Sequence, residues 1–145
     1  DFLIEQIRRV LGAGDSVSVV IVGAGNLGRA LTYYGGFASG GFPIKGLVDS
    51  SPEVIGQEVA GITVEPFEKL KDVVQKNSCT LGIIATPATA AQLVADQLFD
   101  AGIYSILNFA PGLVAVPESV TLRKVDLATE LHILAFHEQQ RERNE

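Results

Sequence analysis

Residues 19–28 read Val-Val-Ile-Val-Gly-Ala-Gly-Asn-Leu-Gly, an apolar run that breaks into Gly-x-Gly-x-x-Gly and then continues in a helical pattern. A second apolar run, Ile44 to Val48, ends in Asp49, 21 residues beyond Gly28. A glycine triplet alone arises by chance in many chains. A strand before it, a helix after it and an acid closing the next strand about 20 residues on form the dinucleotide-binding arrangement. The alternative is an αβ turn that needs its glycines only for tight packing.

Each residue of the motif has a physical task. Gly23 lets the chain turn sharply out of the strand, at backbone angles a side chain would forbid. Gly25 leaves the backbone, with Ala24 beside it, open to close approach by a pyrophosphate, and Gly28 lets the helix lie against the sheet. The N–H groups near Asn26 and Leu27 are unsatisfied donors at a helix N-terminus and carry part of the positive end of its dipole. Asp49, with Ser50 next to it, is placed to accept hydrogen bonds from the adenosine ribose. A 2′-phosphate there would meet a carboxylate: two charges ~4 Å apart at an effective dielectric of ~20 repel by about 4 kcal/mol. No Arg or Lys stands in Ser50-Ser51-Pro52-Glu53 to reverse this. The expected ligand is NAD(H), not NADP(H).

The chain has 145 residues, enough for one domain with a real core. Hydrophobic residues make up 47% and charged ones 19%, a globular balance. A net charge of −6 gives these residues no electrostatic footprint for nucleic acid. Cys79 is the single cysteine, which excludes an internal disulfide and suits a reducing cytoplasm. It reads as a small hydrophobe at the start of a buried strand, since no second thiol exists to resolve an oxidised one. No apolar run approaches the ~20 residues that span a bilayer, and no signal peptide is visible. Methionine is absent and Asp1 already lies inside the pattern Leu3, Ile4, Ile7, Val10, Leu11. The expectation is a fragment from which an N-terminal part has been removed.

Residues 2–11 read as an amphipathic helix closed by Gly12. Strand signals follow at about 17–22, 44–49, Leu81–Ala85, Ser105–Phe109 and Val120–Val125, with a further piece around 58–64. Helical patterns cover about 26–34, 67–75, 88–101 (with Leu93, Val94, Leu98 and Phe99 inward) and 127–143. Gly35, Gly36, Gly40 and Gly41 read as a flexible loop. The alternation predicts an α/β Rossmann fold with a doubly wound parallel sheet. Right-handed crossovers then place the ligand at the carboxyl ends of the first and fourth strands, where the order reverses. The loops there are Gly23–Gly28, Asp49–Pro52, Ala85–Thr89 and Asn108–Gly112.

Those loops lack something that a dehydrogenase needs. An acid or base must reach the substrate carbonyl or hydroxyl. Thr86-Pro87-Ala88-Thr89 and Asn108-Phe109-Ala110-Pro111-Gly112 contain no His, Lys, Tyr, Asp, Glu or Cys. His132 and His137 stand five apart on the terminal helix and do not share a face, so no metal site is expected. Phe109, Ala110 and Pro111 offer the nicotinamide an apolar seat, beside Thr86, Pro87 and Asn108. The oxidised ring is charged and the reduced ring neutral, so burial there penalises NAD⁺ relative to NADH. The plainer alternative is a strand end with a Pro-Gly turn.

The terminal helix carries Leu127, Ala128, Leu131, Ile133, Leu134, Ala135 and Phe136, apolar residues spread too widely around it for an exposed tail. Burial against a second copy, through exchange of this helix, is the favoured expectation; packing on its own sheet is the alternative.

Val-Gly-Ala-Gly-Asn-Leu-Gly (22–28), Tyr34-Gly35-Gly36-Phe37, Ile106-Leu107-Asn108-Phe109-Ala110-Pro111 and Val125-Asp126-Leu127 with the apolar last helix together resemble the Rex family of redox-sensing transcriptional repressors. The resemblance covers essentially the whole chain, and Leu-Asn-Phe-Ala-Pro is its most specific part. It implies an N-terminal winged-helix domain on operator DNA, a Rossmann domain that binds NADH or NAD⁺, and a homodimer held by a swapped C-terminal helix. NADH then closes the dimer and releases the DNA. On this reading residues 1–12 are the tail of the connection from the missing winged-helix domain. Residues 13–126 are the NAD(H)-binding domain, and 127–145 are the dimerisation helix. The resemblance also implies a switch in which Tyr34 and Asp126 pair across the dimer, with Leu127, Leu131 and Phe136 on the shared helix. Relatives often have an aromatic residue after the matching Asp, where this chain has Leu127.

Two other classes stay open at this stage. One is the cofactor-binding half of an NAD-dependent dehydrogenase; the other is a CoA-ligase-type or channel-gating nucleotide domain, which can share the glycine turn.

Overall fold

A computed structural model describes Leu3 and residues 16–144. The helix expected over 2–11, and with it the linker assignment for 1–12, falls outside the described residues apart from Leu3. Strand β1 (Val19–Val22) is buried at all four positions, as an apolar run covered on both faces requires. The glycine turn leads into α1 (Asn26–Tyr33), a short α2 (Gly35–Ser39) and β2 (Ile44–Asp49). Next come β3 (Glu58–Val59), β4 (Ile62–Thr63) and β5 (Glu65–Pro66). A 3₁₀ turn (Phe67–Lys69) runs into α3 (Leu70–Lys76). The second half is β6 (Leu81–Ile84), α4 (Ala88–Asp100), β7 (Ser105–Asn108), β8 (Thr121–Lys124) and α5 (Leu127–Arg143).

Six strands form one parallel sheet in the order β5-β2-β1-β6-β7-β8. With β3 and β4 set aside as a separate antiparallel pair, this is the Rossmann order 3-2-1-4-5-6. The order reverses between β1 and β6, as expected from sequence. One face of the sheet (Val20, Val22, Val48, Ile84, Ile106) packs under Leu70 and Val73 of α3 and Val94 and Leu98 of α4. The opposite face (Val19, Ile21, Leu47, Ile83) packs with Val59, Val64 and half-buried Leu31 of α1. Each fully buried aliphatic side chain contributes roughly 1.5–3 kcal/mol, so the two layers hold the sheet that positions the loops. Among the described residues no helix is long and apolar enough to cross a membrane.

Three sequence expectations need correction. The Gly35–Gly41 stretch is not a flexible loop: residues 35–39 close a helical turn, with Gly40 N–H donating to Gly36 O at 3.1 Å. The piece around 58–64 does not give the third strand of the main sheet. It makes the small hairpin, and Glu65–Pro66 pairs with β2 instead. Leu93 is not core; it is 56% exposed.

The last helix is a different matter. Residues 127–143 form it as expected, yet none of its residues is buried, and Leu131, Leu134 and Phe136 all lie open. The alternative in which it packs on its own sheet is excluded for the single chain.

Candidate dinucleotide site

At the carboxyl end of the sheet the ladder runs one residue past each strand: Gly23 N–H donates to Val48 O, Ala85 N–H to Val22 O, and Phe109 N–H to Ile84 O, at 2.8–2.9 Å. The glycine turn, the Asp49 loop, the Thr86 loop and the Asn108 loop are thereby lined up along one crevice. Gly23 has φ +114°, and a Cβ there would sit 2.5 Å from Ala85 O. The turn is therefore closed to any other residue on two counts. A Cβ on Gly28 would overlap the Gly23 carbonyl, so the contact that glycine permits is helix α1 on the turn itself. A Cβ on Gly25 meets nothing within 4 Å, which leaves the backbone open on that side. Gly25 is the N-cap of α1, with no capping side chain and no acid in the first turn. The first turn thus brings no side chain of its own to its positive end.

Asp49 faces this turn. Its Oδ2 accepts from Ala24 N–H at 2.6 Å and its Oδ1 from Ser51 N–H at 2.8 Å. One lone pair per oxygen is used, and the rest stay available. Beside it lies a cavity of about 270 Å³ walled by Val22, Gly23, Gly25, Asp49, Ser50, Phe67, Ala85, Thr86, Pro87, Ala90, Leu93 and Val94. That is below the roughly 300–1,000 Å³ usual for a whole drug-sized ligand. Six of the expected residues (Gly23, Gly25, Asp49, Ser50, Thr86, Pro87) come together there. Asn26 and Leu27 are exposed on the first turn of α1, while Ala24 and Gly28 are buried beneath it.

The second half of the expected site lies outside this cavity. Asn108 is fully buried, and its Oδ1 accepts from Ala110 N–H at 2.9 Å, a local turn that shapes the loop. Its Nδ2 has no partner, nor does the buried Oγ1 of Thr86. Ala110 is buried, Phe109 half-buried and Pro111 exposed. Sequence reasoning missed Phe67, Ala90 and the exposed Leu93 as cavity walls. The signal was present in the i, i+3, i+4 spacing of Ala90, Leu93 and Val94, which also describes a core stripe.

The switch residues are apart from the cavity. Tyr34 is exposed and meets Phe37 edge-on, ring centroids 4.8 Å apart, and a Cβ on Gly36 would overlap its ring. Asp126 caps α5, its Oδ1 accepting from Thr129 N–H at 3.1 Å. That bond holds its carboxyl below the usual range. Leu127, Leu131 and Phe136 project from the same helix into solvent. The single chain brings none of them to the crevice.

Comparison with known proteins accounts for the combination. Residues 15–112 match the CoA binding domain family. Over 141 residues the chain is 53% identical to the redox-sensing transcriptional repressor Rex of Streptomyces coelicolor, which covers 97% of this chain and 55% of that one. RSP, a Rex-family repressor of known structure, superposes with a TM-score of 0.87 at 33% identity, over 97% of this chain and 68% of RSP. The chain belongs to the CoA binding domain family and to the Rex family. Structures of RSP with β-NADH, and with β-NAD⁺ and operator DNA, match this Rex-family chain at TM-scores of 0.86 and 0.85, both at 33% identity. They cover 97% of this chain, and 68% and 65% of RSP respectively. The chain spans little more than half the length of the Streptomyces relative.

Proposed function

We propose that this chain is the NAD(H)-reading part of a cytoplasmic Rex-type repressor, in which NADH relieves repression. Operator DNA is held by a winged-helix domain joined ahead of residues 1–12, and residues 127–145 join two copies into a homodimer. The observation that carries the reading is the open, uncapped start of α1 at Gly25 facing the Asp49 carboxylate across one cavity. The pyrophosphate takes the helix start, and the adenosine takes the cavity between Asp49, Phe67 and Leu93. Asp49 accepts from the ribose hydroxyls with the lone pairs that Ala24 and Ser51 leave free.

The residues present fit this cofactor at its other end too. Two buried polar atoms without partners, Thr86 Oγ1 and Asn108 Nδ2, stand on adjacent strand ends next to the Phe109–Pro111 loop. Leaving such atoms unpaired costs about 1–3 kcal/mol each, and both stand at the end of the crevice where a ring carboxamide would offer a partner. NAD(H) supplies a ring that changes charge with redox state. The chain's part is to bind, orient and desolvate that ring. None of the crevice loops holds an acid or base at the reactive carbon, so the reading is a sensor and not a dehydrogenase.

The CoA binding domain match raises a second ligand, because CoA shares the adenosine diphosphate half. Its adenosine ribose bears a 3′-phosphate, which Asp49 repels for the same reason as a 2′-phosphate. Calorimetric titration separates the two. NADH is expected to bind and CoA to bind at least tenfold more weakly, with light scattering giving the mass of two copies. Tighter binding of CoA overturns the assignment.

A further inference from the structure

The connection from β7 to β8 joins two parallel strands without a helix, through residues 109–120. Loops of about that length with no secondary structure of their own are uncommon in compact domains. This one begins with Phe109–Pro111, and its tip, Leu113, is 96% exposed. Val114 and Val116 give it partial anchorage on the core. From residue 111 to 119, among the described residues, hydrogen bonds to another element come from one side chain. Gln92 of α4 accepts from Ala115 N–H through Oε1 at 2.9 Å and donates from Nε2 to Ala115 O at 2.8 Å. The same Nε2 donates to Asp96 Oδ1 at 3.0 Å, one turn further along the helix. A carboxylate only accepts, so Asp96 fixes which end of the amide is nitrogen and orients both bonds to Ala115.

The placement of Gln92 matters as much as its bonds. Helix α4 starts directly after Thr86-Pro87, and Ala90, Leu93 and Val94 of the same helix wall the adenosine cavity. Gln92 therefore ties the helix that walls the cavity to the loop that opens with Phe109–Pro111 at the neighbouring strand end. We propose that Gln92 is a positioning residue: by clamping Ala115 it holds the Phe109–Pro111 segment at the height at which it meets a nicotinamide ring. The inference rests on the NAD(H) reading and adds to it a residue that touches no part of the ligand. Chemistry narrows what can replace it. The pairing needs an acceptor and a donor on one planar group, which a carboxylate lacks and a thioether lacks entirely.

The test compares the chain with its Gln92→Met and Gln92→Glu variants, using NADH and ADP-ribose as probes. Met keeps the length and helix preference of Gln but removes the clamp. Glu keeps the acceptor, loses the donor, and sets a charge against Ala115 O and Asp96. ADP-ribose carries the adenosine, pyrophosphate and second ribose but no nicotinamide. Both variants are expected to bind NADH about tenfold more weakly, because a loop released from its exposed clamp must be ordered when the ring binds. ADP-ribose affinity should stay within about twofold. The melting temperature, measured alongside, should hold to within a few degrees.

Unchanged NADH affinity in Gln92→Met overturns the inference while leaving the NAD(H) reading intact. Equal losses for both probes also overturn it, because the clamp would then serve the whole domain. A parent chain that binds ADP-ribose but gains nothing from the nicotinamide of NADH overturns both.

Discussion

Both carboxylate oxygens of Asp49 already hold a backbone N–H, one from the glycine turn and one from the loop that follows β2. Substitution there thus removes a ligand contact and loosens the two walls together. Asp49→Ala is expected to weaken NADH binding by about 1–3 kcal/mol, the range for a charge-assisted bond left unmade. Titration calorimetry checks it, and an unchanged affinity removes Asp49 from the site. Cys79 shows the opposite case, a residue whose environment silences it. Burial pushes its thiol up to about 11, and the thiolate is the reactive form. At neutral pH it should react with a disulfide reagent only at the rate at which the chain opens, so a fast, stoichiometric reaction in native buffer contradicts the structure. Because the folded thiol holds its proton above the ordinary value of 9.0, this group's contribution to stability is intact below pH 9 and falls away as pH rises toward 11.

At the scale of elements, what the sequence disclosed depended on how far each pattern ran. β1, α1 and β2 were legible because an unbroken apolar run, a glycine turn and a second run each persist for several residues. β5 was not, because Glu65–Pro66 is too short to carry a period, and its proline sits where an edge strand tolerates a missing donor. Gly35–Ser39 reads as loop on propensity, yet Tyr34 lies over Gly36 and local bonds close the turn. Leu93 has the spacing of a core residue; only the crevice beside it, a tertiary feature, makes it a wall. The place of Asp49 at the end of β2 was likewise legible, but not its internal clasp, since Ala24 N–H is brought to it by the fold.

Helix α5 was legible in extent, and its cap is testable. Backbone and side-chain bonds to Thr129 lower the Asp126 carboxyl below 3.8. The cap's contribution is thus present at and above the ordinary carboxylate range and is lost as pH falls through the lowered value. The Thr129 amide resonance should titrate as pH falls, with its midpoint below 3.8, and Asp126→Asn should abolish that titration. A midpoint above 3.8 argues against the cap.

For the whole molecule the question is which redox form the crevice prefers, and two opposed effects decide it. The chain carries a net charge of −6, and NADH is one charge more negative than NAD⁺, so the overall field favours the oxidised form. At about 10 Å in water each unit charge contributes roughly 0.4 kcal/mol, and ionic strength near 0.15 M screens beyond about 8 Å. The local effect has the opposite sign. Seating a nicotinium ring against Phe109 and buried Ala110 strips water from a charge, and the loops on either side carry no carboxylate to replace it. Even after relaxation such a penalty is several kcal/mol per ion, of which the half-open seat retains a part. Desolvation outweighs the screened field, so NADH is expected to bind at least tenfold more tightly than NAD⁺. Raising salt should widen the ratio slightly, because only the opposing long-range effect is screened. Fluorescence titration of NADH, with NAD⁺ as competitor at two ionic strengths, measures both quantities. Equal dissociation constants would show that the ring stays hydrated when bound, and the apolar loop would then play no part in reading its charge.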